Sequence, residues 1–281
     1  MDFSDLLGDA EKRLESALHL TRREARLEAR VLVGYALGVD RAWLVGHGGD
    51  TPTPQQASSV AALVARREAG EPVAYILGER EFYGRMFKVT PDVLIPRPET
   101  ELLVEAALER LPLRSAVRVL DLGTGTGCIA LTLALERAGL DVTAVDRSAP
   151  ALAVAMENAS LCGVSIHCVL GDWYSDLGGQ RFDMIVSNPP YVSASDPHLA
   201  RGDLPWEPQG ALSAGADGMV EIGRIVAGAP AHLCTGGWLL LEHGSDQGDA
   251  VRQCLATAEF LETRTLADLA GLPRVTLGHL H

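Results

Sequence analysis

Val119-Leu120-Asp121-Leu122-Gly123-Thr124-Gly125-Thr126-Gly127 decides how this 281-residue chain is read. A short apolar run passes directly into three glycines at alternate positions, and a helix is expected over 127–138. Glycine adopts the backbone conformations that a tight strand-to-helix turn requires, and it lets the main chain approach a ligand at the carboxyl edge of a sheet. Taken alone, the same glycines would serve an ordinary tight connection. Outward from this point the pattern alternates. Strands are expected over 117–121, 141–146, 165–170, 182–187 and 237–242, helices over 149–162, 217–230 and 246–258, and a strand pair near 260–280. Strands separated by helices imply right-handed crossovers and a parallel sheet, here doubly wound with an antiparallel piece near the C-terminus. The fold class is therefore α/β.

The acidic residues at the strand ends narrow the ligand. Asp146 closes Val142-Thr143-Ala144-Val145, where a carboxylate can accept hydrogen bonds from both hydroxyls of a ribose. The dinucleotide pattern G-x-G-x-x-G is not met, because Cys128 occupies the third glycine position. Asp121 puts negative charge near the loop, which disfavours a pyrophosphate and suits an ammonium or hydroxyls. S-adenosylmethionine, which has no phosphate, fits these demands. Leu170-Gly171-Asp172-Trp173 ends the third strand with a carboxylate and a flat ring, suited to the exocyclic amine and face of an adenine. A turn Asp and a packing Trp is the plainer reading of that pair by itself.

At the end of the fourth strand, Met184-Ile185-Val186-Ser187 delivers Asn188-Pro189-Pro190-Tyr191 to the same edge. A planar NH2 on an amide or a base is a poor nucleophile, and its two N–H donors must be directed before its lone pair can face a methyl group. The Asn188 side-chain oxygen and the Pro189 carbonyl supply two acceptors. Successive prolines hold residues 188 and 189 extended before the substrate arrives. Tyr191 can stack on the amide plane and offer its ring face to a sulfonium cation. An ordinary Asn-Pro turn is the alternative. Asn188, Pro189 and Tyr191 are the candidate catalytic residues, and residues 188–191, Pro190 included, the candidate substrate site.

Composition bounds the rest. The formal net charge is −13 and no Lys/Arg-rich run offsets it, so a nucleic acid as sole partner is disfavoured. The five cysteines, Cys128, Cys162, Cys168, Cys234 and Cys254, are scattered without a CxxC pair, which suggests reduced thiols and no metal site. No basic leader or membrane-length apolar run is evident, so a cytoplasmic protein is expected. Residues 1 to about 75 read as a helical bundle, with apolar stripes Leu6-Leu7-Leu14-Leu18, Leu27-Val31-Tyr35 and Val60-Leu63-Val64, and a helix start at Thr53-Pro54. Residues 76–94 are expected to form a hairpin linker, and 95–281 the catalytic domain.

With these residues in view, the chain resembles the protein-(glutamine-N5) methyltransferases that modify peptide chain release factors. The resemblance is carried by Gly-Glu-Arg-Glu-Phe-Tyr-Gly (78–84), Ile-Pro-Arg-Pro-Glu-Thr-Glu (95–101), Asp-Leu-Gly-Thr-Gly-Thr-Gly (121–127), Ala-Val-Asp (144–146), Gly-Asp-Trp (171–173), Ser-Asn-Pro-Pro-Tyr (187–191), Glu-Pro (207–208) and Arg-Val-Thr-Leu-Gly (274–278). It implies a Rossmann-like class I methyltransferase sheet behind a small N-terminal helical domain that recognises substrate. It further implies that Gly123, Thr124, Gly125, Thr126, Gly127, Asp146, Trp173 and Asn188 line the S-adenosylmethionine site, joined by Asp172 from the reading above, with S-adenosylhomocysteine as product. The implied substrate is the glutamine of a Gly-Gly-Gln loop in a class 1 release factor, held by residues 188–191. The loop 193–212, with Trp206 and Glu207, is implied in gripping that protein, although packing is an equal role for Trp206. Arg97 is open between structural and gating roles, and His243 reads as packing or loop-stabilising. The competing activity is amino-methylation of adenine in nucleic acid, which would use the same Asn188 and Tyr191.

Overall fold

The computed structural model describes residues 1–112 and 116–281. They form two compact units, Met1–Glu79 with Ala200–Trp206, and Arg80–Leu199 with Glu207–His281. Among the described residues no helix is long and apolar enough to cross a membrane.

The first unit contains α1 (Phe3–Leu18), α2 (Arg22–Leu37), α3 (Arg41–Gly46), α4 (Pro54–Glu68) and α5 (Val73–Leu77). Reciprocal capping boxes start three of them: Asp2 with Asp5, Thr21 with Glu24, and Thr53 with Gln56, the last followed by Pro54 in the first turn. Leu6, Leu14, Val60 and Val64 meet in its core. The Leu27-Val31-Tyr35 stripe does not. Leu27 is 65% and Tyr35 50% exposed, and α2 instead buries Ala25, Ala29, Leu32 and Val33. Small alanines let neighbouring helices approach closely, so the packed face is not the one carrying the largest apolar side chains at helical spacing. Buried Arg67 links α4 to Glu28 and to Asp203.

From Arg80 the second unit holds most of a hairpin, β1 (Glu79–Phe82) and β2 (Arg85–Lys88), followed by α6 (Glu101–Arg110). Then come β3 (Val117–Leu122), α7 (Cys128–Glu136), β4 (Leu140–Asp146), α8 (Ala149–Cys162), β5 (His167–Leu170), β6 (Phe182–Ser187), α9 (Gln209–Leu212), α10 (Val220–His232), β7 (Leu233–Glu242), α11 (Gly248–Thr257), β8 (Leu261–Ala267) and β9 (Pro273–His279). The seven-stranded sheet has the order β5-β4-β3-β6-β7-β9-β8. The first five of these strands run parallel, and β9 pairs antiparallel with both β7 and β8. Alternate residues of β3 serve opposite faces: Val117 and Val119 pack with α6 and α7, Leu120 and Leu122 with α10 and α11. The hairpin, expected as part of a linker, lies within this unit. Its Phe82 and Phe87 are fully buried in the same core cluster as α6 and α7, because an apolar residue on each strand faces the helices and excludes water there.

Gly127 starts α7 at φ +80°, and a Cβ there would stand 3.1 Å from Leu131 and 3.2 Å from Ala155 of α8. Gly127→Ala is therefore expected to cost about 2 kcal/mol, from the left-handed backbone and the lost approach together. The measurement is the urea denaturation midpoint, and an unchanged midpoint would show that the helices are not held together at this glycine.

Candidate active site

Strand order turns about β3. The chain runs outward from β3 to β4 and β5, then returns to add β6 and β7 on the other side. Leu122 is in register with Val145 on one side and Ser187 on the other, so the residues just past each strand emerge together. That is the position at which open parallel sheets bind ligands.

Asp146 organises the opening. Its Oδ2 accepts from the Gly125 N–H at 2.9 Å and its Oδ1 from the Ser148 N–H at 2.9 Å. Val145 O accepts from Gly123 N and Thr124 N, and Asp146 O accepts from Gly171 N, so the loops after β3 and β5 hang on the end of β4. Gly123 and Gly125 have φ of +75° and +55°. A Cβ at Gly125 would meet nothing within 4 Å, whereas one at Gly123 would touch the Trp173 ring at 3.4 Å. Trp173, itself at φ +54°, is locked by its indole N–H donating to Glu221 at 2.6 Å, and Arg224 bridges Glu221 to Asp172.

These groups surround a solvent-open cleft of about 810 Å³. Gly123, Gly125, Asp146, Asp172, Trp173 and Asn188 line it, with Pro190, Asp92, Val93, Leu94 and Pro208. Thr124, Thr126 and Gly127 do not. Thr124 donates to buried Asp121, and Thr126 accepts from the Cys128 N–H, so these residues shape the turn from beneath. Pro189 and Tyr191 also stay off the cleft wall. Pro189 is buried, and the Tyr191 hydroxyl is drawn to Glu242 at 3.2 Å, burial driving its pKa up.

The wall suits a cationic nucleoside without phosphate. Asp92, Asp146 and Asp172 face the cleft between apolar surfaces, and the Arg147 guanidinium that joins them donates to Gly210 O at 2.8 Å. Beneath the loop, Asp121 is fully buried, its Oδ1 has no hydrogen-bond partner among the described residues, and burial raises its carboxyl to about 7 against the Thr124 hydrogen bond. S-adenosylmethionine brings a sulfonium and an ammonium against a single carboxylate, so it enters such a site with a net positive charge and no phosphate.

Asn188 sits at the edge of this cleft, its Nδ2 donating to Thr100 Oγ1 at 3.1 Å, which leaves Oδ1 to accept. Sequence reasoning missed Thr100 and Glu242. Both are buried, and Glu242 closes the apolar run Leu239-Leu240-Leu241 just as Asp121 and Asp146 close or interrupt theirs, a signal that could have marked it. Arg97 and Glu207 form an ion pair, and Glu207 Oε2 also accepts from the Ile95 N–H at 3.1 Å, so this pair anchors the segment before α6. His243 is buried between Gly244 O and Thr276 Oγ1, and burial lowers its pKa.

A doubly wound sheet with a phosphate-free nucleoside cleft at its turning point defines a methyltransferase of the S-adenosylmethionine-dependent class. Residues 98–201 match the methyltransferase small domain, and residues 5–78 the PrmC N-terminal domain. The fold is shared with a Pyrococcus furiosus methyltransferase (TM-score 0.53, 17% identity, 79% of this chain and 98% of that one) and a Thermus thermophilus 16S rRNA N2 G1207 methyltransferase (TM-score 0.55, 22% identity, 72% and 50%). Release factor glutamine methyltransferases of Bordetella pertussis (52% identity, 91% of this chain and 95% of that one) and Escherichia coli K12 (43%, 100% of both) are similar over nearly the whole length. The chain belongs to the release factor glutamine methyltransferase family.

Asp146→Ala removes the acceptor that orders Gly125 and Ser148 while leaving the apolar strand intact. The affinity for S-adenosylmethionine, measured by titration calorimetry, is expected to fall by about tenfold or more with the fold retained. Unchanged affinity would remove Asp146 from the cofactor site.

Proposed function

We propose that this chain transfers a methyl group from S-adenosylmethionine to the side-chain amide nitrogen of a glutamine in a peptide chain release factor, the glutamine of its Gly-Gly-Gln segment. The observation that carries the chemistry is Asn188, held by Thr100 at the rim of a cleft that also presents Gly123, Gly125 and Asp146. Near-full-length likeness to release factor glutamine methyltransferases supports the choice of substrate.

Gly123, Gly125, Asp146, Asp172 and Trp173 would hold the cofactor. When bound, S-adenosylmethionine supplies an electrophilic methyl group on a sulfonium. Asn188 Oδ1 accepts one N–H of the substrate amide, and the Pro189 carbonyl is assigned the other. With both hydrogens directed, the nitrogen lone pair turns out of the acceptors' line toward the methyl donor, and the geometry is set before the substrate arrives. Water takes the proton that the nitrogen sheds after transfer, so no side chain need act as a strong base. Tyr191 acts by fixing the tetrapeptide through its hydroxyl. We assign the helical unit of residues 1–79 to holding the release factor outside the reacting glutamine. The reading puts the enzyme in the cytoplasm with the translation apparatus.

The test incubates the protein with methyl-labelled S-adenosylmethionine and a recombinant release factor, and locates the added methyl by peptide mass spectrometry. Label on the Gly-Gly-Gln glutamine, absent when that glutamine is alanine, is the expected result. Label on adenine of added nucleic acid instead would transfer the reading to the competing activity. Asn188→Ala is expected to lower kcat by about a hundredfold or more while circular dichroism stays unchanged. Retained turnover would exclude Asn188 as the directing acceptor.

A further inference from the structure

The turn between β8 and β9 is fixed by its own residues, yet it holds a bulky apolar side chain wholly in water. The Asp268 N–H donates to Leu272 O and the Gly271 N–H to Asp268 O, both at 2.9 Å, which closes a loop of Leu269, Ala270 and Gly271. Gly271 supplies the left-handed position, at φ +78°, that a hairpin loop of this length needs. The Asp268 carboxylate tightens it further. Its Oδ1 accepts from the Ala270 and Leu272 N–H groups at 2.9 Å each, and its Oδ2 from Arg274 Nε at 3.0 Å. None of this asks for leucine at 269, since the first central position of such a turn accepts most residues. Leu269 is nevertheless fully exposed, and Leu272 at the foot of the loop is 44% exposed.

The strand registers put this tip at the edge where the substrate enters. Ser187, which ends β6, is level with Leu241 of β7, Leu241 with Thr276 of β9, and Thr276 with Thr265 of β8. Because β9 runs against both β7 and β8, its beginning and the end of β8 lie at the edge from which Asn188 emerges. By this register Leu266 stands level with Asn188, and Leu269 follows it in the chain. At ~3.3 Å per residue along a strand and ~4.8 Å between strands, Leu269 lies roughly 10 Å beyond Asn188 and roughly 12 Å to its side. The base of the tip and the tetrapeptide also share a support: the His243 N–H donates to Arg274 O at 2.9 Å, and Gln247 Nε2 to Tyr191 O at 3.0 Å, both from the loop that follows β7.

We propose that the β8–β9 tip is a docking knob for the release factor, Leu269 with Leu272 beside it bearing on an apolar part of the surface that carries the reacting glutamine. The proposal rests on a release factor as substrate. A glutamine that reaches Asn188 brings the body of its protein over this edge of the sheet. A protein contact of standard size covers about 800 Å² on each partner, a disc of about 16 Å radius, so a contact centred on the reacting amide takes in the tip. Single apolar side chains are common on protein surfaces. Position and rigidity set Leu269 apart, because a loop already ordered by Asp268 and Gly271 gives up little freedom when it docks. The knob lies away from the reacting atoms and contributes equally before and during methyl transfer. Such a contact lowers KM and leaves kcat unchanged.

The experiment measures kcat and KM for a recombinant release factor, S-adenosylmethionine affinity and melting temperature for Leu269→Asp and Leu269→Met. Leu269→Asp is expected to raise KM about tenfold, with kcat and cofactor affinity within about twofold of wild type. Its melting temperature should not fall, since the side chain packs against nothing in the folded chain. Leu269→Met stays apolar and should keep KM near wild type. In a second arm, a photoreactive benzophenone amino acid replaces Leu269, and the full-length enzyme is irradiated with the release factor and S-adenosylhomocysteine. The cross-link, mapped by peptide mass spectrometry, should fall in the domain of the release factor that bears the reacting glutamine. An unchanged KM in Leu269→Asp, a loss confined to kcat, no cross-link, or a cross-link only to a second copy of the enzyme would overturn the proposal. The wild-type enzyme separates the two levels: if it leaves the release factor unmethylated the substrate reading itself fails, whereas if it methylates the glutamine and Leu269→Asp does so with the same KM, only the role of the tip fails.

Discussion

The site exists because β3 is paired in parallel on both edges, with Leu122 level with Val145 on one side and Ser187 on the other. Side chains in a strand alternate faces, so a slip of one residue would turn Leu120 and Leu122 out of one core and into the other. The apolar residues on both faces of β3 resist that slip, and the register they hold delivers the glycine loop, Asp146 and Asn188 to one opening. Packing energy far from the cleft thus sets the geometry within it.

A second layer of polar contacts keeps the opening from relaxing. Buried Asn158 of α8 accepts from Lys88 N of the hairpin and donates to Lys88 O and Thr126 O, tying the hairpin to the glycine loop. Glu207 does the same for the segment before α6 through Ile95 and Arg97, and Glu221 for Trp173. Each is a charged or amide side chain whose partners lie on another element. Truncating one leaves buried partners unsatisfied, which costs more than the bond itself contributes. Pre-organisation of acceptors for a weak nucleophile depends on this layer, since an amide displaced by a fraction of an ångström directs nothing.

The sheet was legible because its strands are short apolar runs and its turns carry Gly and Asp. The 149–162 helix and the 182–187 strand lie where the sequence places them, and Gly125, Asp146, Trp173 and Asn188 do meet at one cleft. Periodicity failed on α2, where alanines occupy the packed face and larger residues point to solvent. Alternation around Gly84 marked the hairpin itself, but its two phenylalanines are too few to show that the segment belongs to a core. Within the site, spacing could not separate the glycines that line the cleft from Gly127, whose missing side chain makes room for Ala155. Nor could it reveal Thr100 beside Asn188, 88 positions away in the chain, because only the return of β6 to the edge of β3 brings them together.

Two carboxyls, Asp121 near the end of β3 and Glu242 at the end of β7, are fully buried and raised to about 7, where an interior built for stability alone would hold apolar groups. Their folded-state pKa lies above the ordinary carboxylate range, so the folded protein binds their protons more tightly than the unfolded chain. Stability is therefore greatest when both are neutral, declines as pH rises from that range to about 7, and carries the full cost of two buried charges above it. A cation bound nearby favours the ionised forms and offsets that cost, whereas a phosphate would deepen it. The burial of Asp121 beneath the glycine loop thus favours a net positive ligand over a phosphate, adding to the carboxylates that line the cleft.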